Sequence, residues 1–277
     1  MEYVYLLALG VGVGTFGTLI GAGGGFILMP ILLLMYPSRA PTTLTAISLA
    51  MVFFNASSGS YSYARMKRID FKSGLLFLVT GVPGAAAGAY LVRYIPRHVF
   101  EFVFGMLLLG VASYIFIKTF DGAPRSHGRW ATFKRTIIDA QGVHHEYAFS
   151  LALGMAISFG VGLASSILGI GGGIIHVPAM VNLLDFPVHI ATATSHFILA
   201  AMTLVGTLVH VIDGSLGRAE LPELIMLGGG AIAGAQVGAA LSRRVHGRWI
   251  MRSLAGALGL VSIRILIPGT TALFFSH

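Results

Sequence analysis

The chain has 277 residues, of which 56% are hydrophobic and only 10% are charged. A soluble domain carries roughly 25% charged residues, so this composition excludes an ordinary soluble fold. The formal net charge of +8 does not by itself indicate nucleic-acid binding, because Lys and Arg also orient the loops of membrane proteins, and the absence of Cys excludes disulfides and thiolate metal sites.

Eight apolar runs approach or reach the roughly 20 residues that a membrane-spanning helix needs. They cover residues 3–20, 42–64, 74–92, 99–117, 148–168, 190–212, 224–242 and 249–267. The first run lacks the basic start and the small-residue cleavage site of a secretory signal, so we expect it to belong to the mature protein. These runs predict an all-α polytopic membrane protein embedded in the lipid bilayer.

The first apolar run ends in a glycine-rich segment that recurs in the second half of the chain. Residues 21–30 read GAGGGFILMP and residues 169–178 read GIGGGIIHVP, which is six identities in ten at an offset of 148. Later, GAAAGAYLVR from Gly84 parallels GAQVGAALSR from Gly234. The chain is therefore predicted to consist of two homologous repeats.

A polar stretch separates the two repeats and defines the predicted organisation. Residues 1–117 form the N-terminal repeat, residues 118–147 a cytoplasmic linker, and residues 148–277 the C-terminal repeat. Within the linker, RWATFKRTII over residues 129–138 mixes basic and apolar positions. This pattern fits a short interfacial helix or a solvated loop.

The short apolar piece that follows each break determines the topology. As a helix, residues 26–36 would extend about 16 Å, roughly half of the ~30 Å hydrocarbon core. Either the break lies within one crossing, or the chain turns back and the repeats have opposite orientations. With the basic loop 65–73 in the cytoplasm, turning back places more Lys and Arg on that side. We therefore predict two inverted-topology repeats, each with a broken or re-entrant helix followed by three transmembrane helices.

The two breaks are the predicted binding site for a small anion. Backbone N–H groups at the start of the next half-helix have no intrahelical partners, and their partial positive charge suits an anion. Interrupted helices of inverted repeats commonly hold substrate near the membrane midplane. The alternatives are tight helix packing for the glycines and bonds to neighbouring carbonyls for the hydroxyls. The candidate substrate-binding residues are Gly23, Gly24, Gly25, Phe26, Thr45, Ser48, Asn55, Gly171, Gly172, Gly173, Ile174, His176, Thr192, Thr194, Ser195 and His196.

The positions of the carboxylates favour an anion over a cation. All Asp and Glu residues fall in loops or near the ends of predicted spans, whereas carboxylates inside spans usually mark cation sites and proton relays. We predict no metal site and no cofactor. Because no central carboxylate is available, we hypothesise that His176 or His196 senses or carries a proton. A structural hydrogen bond is the alternative for each histidine.

In GAGGGFILMP and GIGGGIIHVPAM the chain resembles the TauE/SafE family, also called TSUP, of sulfite and organosulfonate transporters. The resemblance covers both halves of the chain, and its pattern is carried by Gly21, Gly23, Gly24, Gly25 and Pro30 with Gly169, Gly171, Gly172, Gly173 and Pro178. It implies a secondary transporter of the cell (inner) membrane, often an exporter, for sulfite, sulfoacetate or a related sulfonate. His176 stands where the first repeat has Leu28, and the resemblance assigns it no role.

Two other functions compete with anion transport. A carrier of divalent metal would use the Met and His side chains, although Met in apolar spans usually serves packing. An integral-membrane hydrolase would use Ser195 or Ser166 with a histidine. The sequence has no Gly-x-Ser-x-Gly or His-Glu-x-x-His motif, and adjacent residues such as Ser195 and His196 point to different faces of a helix. The sequence leaves the transport direction, the coupling ion and the oligomeric state open.

Overall fold

The computed structural model describes residues 2–117 and 132–242, together with the isolated positions 256, 259, 260 and 262. Its nine described α-helices are α1 Glu2–Ile20, α2 Gly25–Met35, α3 Pro41–Arg65, α4 Phe71–Leu91, α5 Arg97–Ile117, α6 Leu151–Leu168, α7 Gly173–Leu183, α8 Val188–Ile212 and α9 Leu221–Leu241. Two strands, β1 Phe133–Ile138 and β2 His144–Phe149, lie between α5 and α6. Short 3-10 turns, Val92–Tyr94 and Arg218–Glu220, follow α4 and precede α9.

The helices confirm a polytopic membrane protein. Five segments are long and apolar enough to cross a membrane, namely Tyr3–Ile20, Phe71–Tyr94, Leu151–Leu168, Val188–Ile212 and Arg218–Leu241. The predicted runs 42–64 and 99–117 are also helical, as α3 and α5. The Thr, Ser and Asn residues of α3 make it less apolar than those five. The predicted run 249–267 lies outside the continuously described residues.

Each glycine-rich segment is a sharp break between two helices. The first lies between α1 and α2, and the second between α6 and α7. The residues that precede α2 and α7 are Gly24, with φ of 83°, and Gly172, with φ of 91°. Glycine reaches this left-handed region at no steric cost, unlike residues with a Cβ. Both short helices begin one residue earlier than predicted, at Gly25 and Gly173 rather than Phe26 and Ile174.

The chain reverses direction at the first break. Asn55 and Tyr63 of α3 bond the carbonyl oxygens of Gly14 and Thr18 in α1, at 2.9 and 2.7 Å. The contacts advance together along the two helices, so α1 and α3 run parallel. The chain between them must therefore return toward the end where α1 began, and α2 carries it back.

The corresponding helices α3 and α8 run antiparallel. A Cβ built on Gly59 of α3 would lie 2.6 Å from the His196 ring, and one built on Gly206 of α8 would lie 3.0 Å from Leu49. Later positions of α3 therefore face earlier positions of α8. Two further helix pairs, α1 with α9 and α4 with α6, are in backbone contact through glycines such as Gly234, because small residues let membrane helices approach closely.

A β-hairpin that begins in the predicted linker and ends at Phe149 corrects the all-α prediction. Strands β1 and β2 pair antiparallel, with Phe133 opposite Phe149 and Ile138 opposite His144. The prediction of an interfacial helix or a solvated loop was wrong for residues 133–138, which form β1. Residues 129–131 lie outside the described part of the chain. Burial alternates along β1 with period two, as expected where one face of a strand packs on the protein. The hairpin therefore covers one end of the helix bundle.

Candidate substrate site

The two breaks pack directly against each other. A Cβ built on Gly25 would lie 2.8 Å from the carbonyl oxygens of both Gly169 and Ile170. A Cβ built on Gly173 would lie 2.3 Å from the carbonyl oxygen of Gly21. In the repeat alignment Gly25 corresponds to Gly173 and Gly21 to Gly169, so the two contacts are reciprocal. Any side chain at Gly25 or Gly173 would push the two backbones apart.

Gly23 and Gly171, the first residues of the two glycine triplets, lie against apolar side chains of α3 and, for Gly23, of α8. A Cβ on Gly23 would lie 2.7 Å from Val52 and 2.5 Å from Leu199, and one on Gly171 would lie 2.6 Å from Val52. Val52 and Leu199 are missing from the predicted site. They lie 147 residues apart, the spacing that also relates Ser48 to Ser195, so the repeat alignment contains a signal that could have found them.

Two serines bond the ends of the helices that precede the breaks. Ser48 Oγ donates to the carbonyl oxygen of Gly169 at 2.5 Å, and Ser195 Oγ donates to that of Gly21 at 3.4 Å. Both serines are fully buried. They occupy equivalent positions in the two repeats and join α3 to the second break and α8 to the first.

Two buried threonines beside the breaks have no hydrogen-bond partner. Thr45 Oγ1 would lie 3.3 Å from a Cβ on Gly169, and the Thr192 side chain would lie 2.7 Å from one on Gly21. Neither hydroxyl is bonded, although the two residues are 0% and 1% exposed. Buried hydroxyls are normally satisfied. This equivalent pair of free hydroxyls is therefore available to a ligand at the contact between the breaks.

The short helices also begin at this contact. The Gly24 carbonyl accepts the N–H groups of Ile27 and Leu28, and the Gly172 carbonyl accepts those of Ile175 and His176. The first two N–H groups of α2 belong to Gly25 and Phe26, and those of α7 belong to Gly173 and Ile174. They come before the first of these bonds in each helix. Each helix thus directs the positive end of its dipole at the break. Phe26 and Ile174 are completely buried there.

Two predicted site residues lie apart from the breaks and bond other groups. The Asn55 amide donates to the carbonyls of Gly14 and Ala231, at 2.9 and 3.3 Å, and its oxygen accepts the Thr18 hydroxyl. These bonds connect α1, α3 and α9. The Thr194 hydroxyl accepts the Asp70 N–H at 2.9 Å, at the end of the bundle that the hairpin covers.

The two central histidines lie in different surroundings. His196 Nε2 is 3.2 Å from the Thr18 hydroxyl, and its ring meets Tyr63 edge-on with a centroid distance of 5.7 Å. His176 is completely buried, and neither of its ring nitrogens has a hydrogen-bond partner. Its ring lies 6.1 Å from that of Phe77. His176 is therefore part of an aromatic region between α4 and α7.

A buried carboxylate at the hairpin end is missing from the predicted site. Asp70, at the start of α4, accepts hydrogen bonds from Arg135 Nε at 2.9 Å, the Tyr147 hydroxyl at 2.7 Å and the Ser73 hydroxyl at 2.5 Å. Burial would raise the pKa of Asp70, but the hydrogen bonds from Arg135, Ser73 and Tyr147 outweigh it and lower that pKa below its usual value. Asp70 and Arg135 are 65 residues apart, so their pairing depends on the hairpin and has no signal in the sequence.

Ser195 and His196, which were considered for a hydrolase, bond different groups. Ser195 bonds the Gly21 carbonyl while the His196 ring contacts Thr18, so the adjacent serine and histidine have different partners. Within the described residues, no group of three or more His, Asp or Glu side chains is placed to hold a metal ion.

Comparisons with known proteins agree with the membrane architecture. Residues 6–265 match the family described as Sulfite exporter TauE/SafE. The chain is 30% identical to the probable membrane transporter protein YunE of Bacillus subtilis over 97% of this chain and 99% of that protein. It is 24% identical to a probable membrane transporter protein of Methanocaldococcus jannaschii, over 94% and 97% of the two chains. No solved structure matches the chain.

Proposed function

Since this chain belongs to the TauE/SafE family of membrane transporters, we propose that it is a secondary transporter that exports a small sulfur-containing anion. The substrate would be sulfite, sulfoacetate or a related sulfonate, and the protein would transport it without catalysing a reaction. The observation that carries the proposal is the reciprocal contact of the two breaks, with the free hydroxyls of Thr45 and Thr192 beside it.

The proposed mechanism uses two repeats of opposite orientation. Antiparallel packing of the equivalent helices α3 and α8 supports this arrangement, because a two-fold axis along the membrane normal would relate equivalent helices in parallel. The contact between the breaks then lies on the pseudo-symmetry axis. Rocking of one repeat against the other would alternately expose this site to the two sides, as in other inverted-repeat transporters.

The proposed site binds the anion with neutral donors. The starts of α2 and α7 supply backbone N–H groups and positive dipole ends, while Thr45 and Thr192 supply one hydroxyl donor each. A fixed charge is absent from the side chains described at this contact. Neutral donors suit a substrate that must be released after each crossing, since a buried ion pair would hold it more strongly.

The proposed orientation places the linker in the cytoplasm of a cell with an inner membrane. The hairpin packs at the same end as Arg65, Lys67 and Arg68, where the Ala140 N–H donates to the Met66 carbonyl at 3.0 Å. A concentration of Lys and Arg marks the cytoplasmic side of a membrane protein. An outward gradient or a proton would then drive export. Of the two proposed proton sites, His196 reaches the first break through Thr18, and His176 lies in the first turn of α7 after the second break.

The test is flux of sulfite, sulfoacetate and taurine in proteoliposomes, comparing the wild type with Thr45→Val and Thr192→Val. Valine keeps the shape and removes a hydroxyl that bonds nothing, so we expect unchanged thermal stability and at least a roughly tenfold loss of flux, equivalent to about 1.4 kcal/mol. Thr203→Val is the matched control, because the Thr203 hydroxyl bonds the Leu199 carbonyl of its own helix at 2.8 Å. Full flux in both variants, or transport of a divalent metal instead, would contradict the proposal.

A further inference from the structure

The β-hairpin is fastened to the helix bundle by a buried ionic latch, which we define as Asp70, Arg135 and Tyr147. Asp70 is completely buried, and Arg135 of β1 and Tyr147 of β2 both donate to its carboxylate. The Asp70 N–H in turn donates to Thr194 of α8. Thr194 lies within two residues of Thr192 and Ser195, whose side chains contact the first break.

Aromatic side chains continue the contact from the latch into the bundle. The Tyr147 and Phe149 rings of β2 lie 4.4 and 5.0 Å from that of Phe186, in the connection between α7 and α8. The Phe149 ring also lies 5.7 Å from Phe77 of α4. The hairpin therefore inserts two rings among α4, α7 and α8 and closes this end of the bundle.

Beneath the rings lie two buried polar groups that have no partner. Phe77 contacts His176, whose two ring nitrogens are unbonded. One turn further along α4, a Cβ on Gly81 would lie 2.7 Å from the unbonded Ser158 hydroxyl. His176 and Ser158 are both 0% exposed. A buried polar atom without a partner costs about 1–3 kcal/mol, so these two groups, which lie against successive turns of α4, are available to a polar ligand.

We propose that the hairpin is a lid over a polar chamber formed at His176 and Ser158, which receives the anion on the side of the linker, and that the Asp70 latch holds the lid closed. This proposal rests on the proposed function for the identity of the ligand. The Ser158 hydroxyl and one imidazole N–H supply donors for the oxygens of a small sulfonate. Opening breaks the bonds from Arg135 and Tyr147 to the Asp70 carboxylate and removes the Phe149 and Tyr147 rings from the chamber.

The experiment uses the absence of Cys from the chain. Ser158→Cys introduces a single thiol, and a charged, membrane-impermeant methanethiosulfonate is applied to the linker side of the protein in oriented vesicles. We expect slow labelling in this parent and at least about tenfold faster labelling when Asp70→Asn is added, since an amide loses the charge-assisted bonds to Arg135. Adding Glu223→Gln, which breaks an ion pair at the opposite end of the bundle, should leave the rate unchanged.

A cross-link tests the lid in a background where Asp70 is intact. Cysteines at Met66 and Ala140, whose backbones share a hydrogen bond, would join the hairpin to the α3–α4 connection. Oxidation should slow labelling at position 158 below the parent rate, and prior reduction should restore it. Equal rates for the parent, Asp70→Asn and oxidised cross-link proteins, or equal acceleration by Glu223→Gln, would overturn the lid.

Sulfoacetate is the probe for the ligand of the chamber. It should protect the Ser158→Cys thiol when Asp70→Asn keeps the lid open. Acceleration by Asp70→Asn without protection would overturn the chamber as an anion site and leave the lid supported. These readouts require no transport, so failure of the lid is distinguishable from loss of flux in the Thr45→Val and Thr192→Val variants.

Discussion

The two ends of the helix bundle hold the short helices by different means. At the end where α2 terminates, Arg97 of α5 donates to the carbonyl oxygens of Leu33 and Arg39, at 2.9 and 3.0 Å, and to Glu101 at 2.7 Å. One guanidinium of the same repeat thus bonds a carbonyl in the last turn of the helix and another in the connection that follows it. At the end where α7 terminates, Phe186 packs instead on the aromatic rings of the linker hairpin.

The ion pairs at the two ends also differ in burial. Arg39 binds Glu223 through two bonds of 2.6 and 2.7 Å, but the two side chains are 32% and 14% exposed. At the hairpin end, Asp70 is 0% and Arg135 19% exposed. The repeats are thus nearly equivalent where their breaks meet and differ where their ends are covered. Among the described residues, only the hairpin end is covered by strands, which span the end of the predicted linker and the first residues of the predicted C-terminal repeat.

The largest expected effect tests the equivalence of the breaks. Gly25→Ala and Gly173→Ala each place a methyl group within 2.8 Å or less of backbone atoms that have no room to move. We expect both variants to lose flux and about 1–3 kcal/mol of stability, the usual cost of overpacking, measured by thermal unfolding in detergent.

The matched controls are Gly12→Ala and Gly160→Ala, which are equivalent positions of α1 and α6 with nothing within 4 Å of the added methyl group. Alanine in a helix interior is favoured over glycine by roughly 0.5–1 kcal/mol, so these variants should be at least as stable as the wild type. Loss of function in only one of the two break variants would contradict their equivalence.

A further comparison, in stability alone and with no loss of flux expected from the binding site, separates the two ion pairs. Asp70→Asn should lower the free energy of unfolding by about 3 kcal/mol, the lower part of the range for breaking a buried pair. Glu223→Gln should cost about 1 kcal/mol or less, because partly exposed pairs contribute little. Chemical unfolding of the two variants in the same detergent gives the comparison. Equal losses of unfolding free energy would mean that the ion pairs at the two ends contribute equally to stability.

The smallest expected effect is the pH dependence of the hairpin latch. The pKa of Asp70 is lowered in the folded protein, so its stabilisation is complete above the ordinary carboxyl pKa of about 3.9 and is lost as the pH falls through the lowered value. The difference in unfolding free energy between the wild type and Asp70→Asn should therefore be constant from about pH 5 to 8 and shrink below about pH 4. A difference that shrinks instead near pH 6 to 7 would assign the titration to a histidine.

Much of the geometry of the candidate site could be predicted because the internal repeat is visible in the sequence. The paired motifs locate both breaks within one residue, and the same alignment relates Thr45 to Thr192 and Ser48 to Ser195. Asn55 and Thr194 were included because hydroxyl and amide groups cluster after each break. The residue types alone could not show that Asn55 bonds the Gly14 carbonyl and that Thr194 accepts the Asp70 N–H.

The sequence by itself determined the membrane class, the two repeats and the glycine positions, because span length and backbone freedom are local properties of a chain. Only the tertiary structure decided that Gly25 meets Gly169, that Val52 contacts both breaks, and that Arg135 reaches Asp70. The hairpin was missed for the same reason. Six residues of mixed basic and apolar character become a strand only when a partner strand supplies the hydrogen bonds and the bundle buries one face.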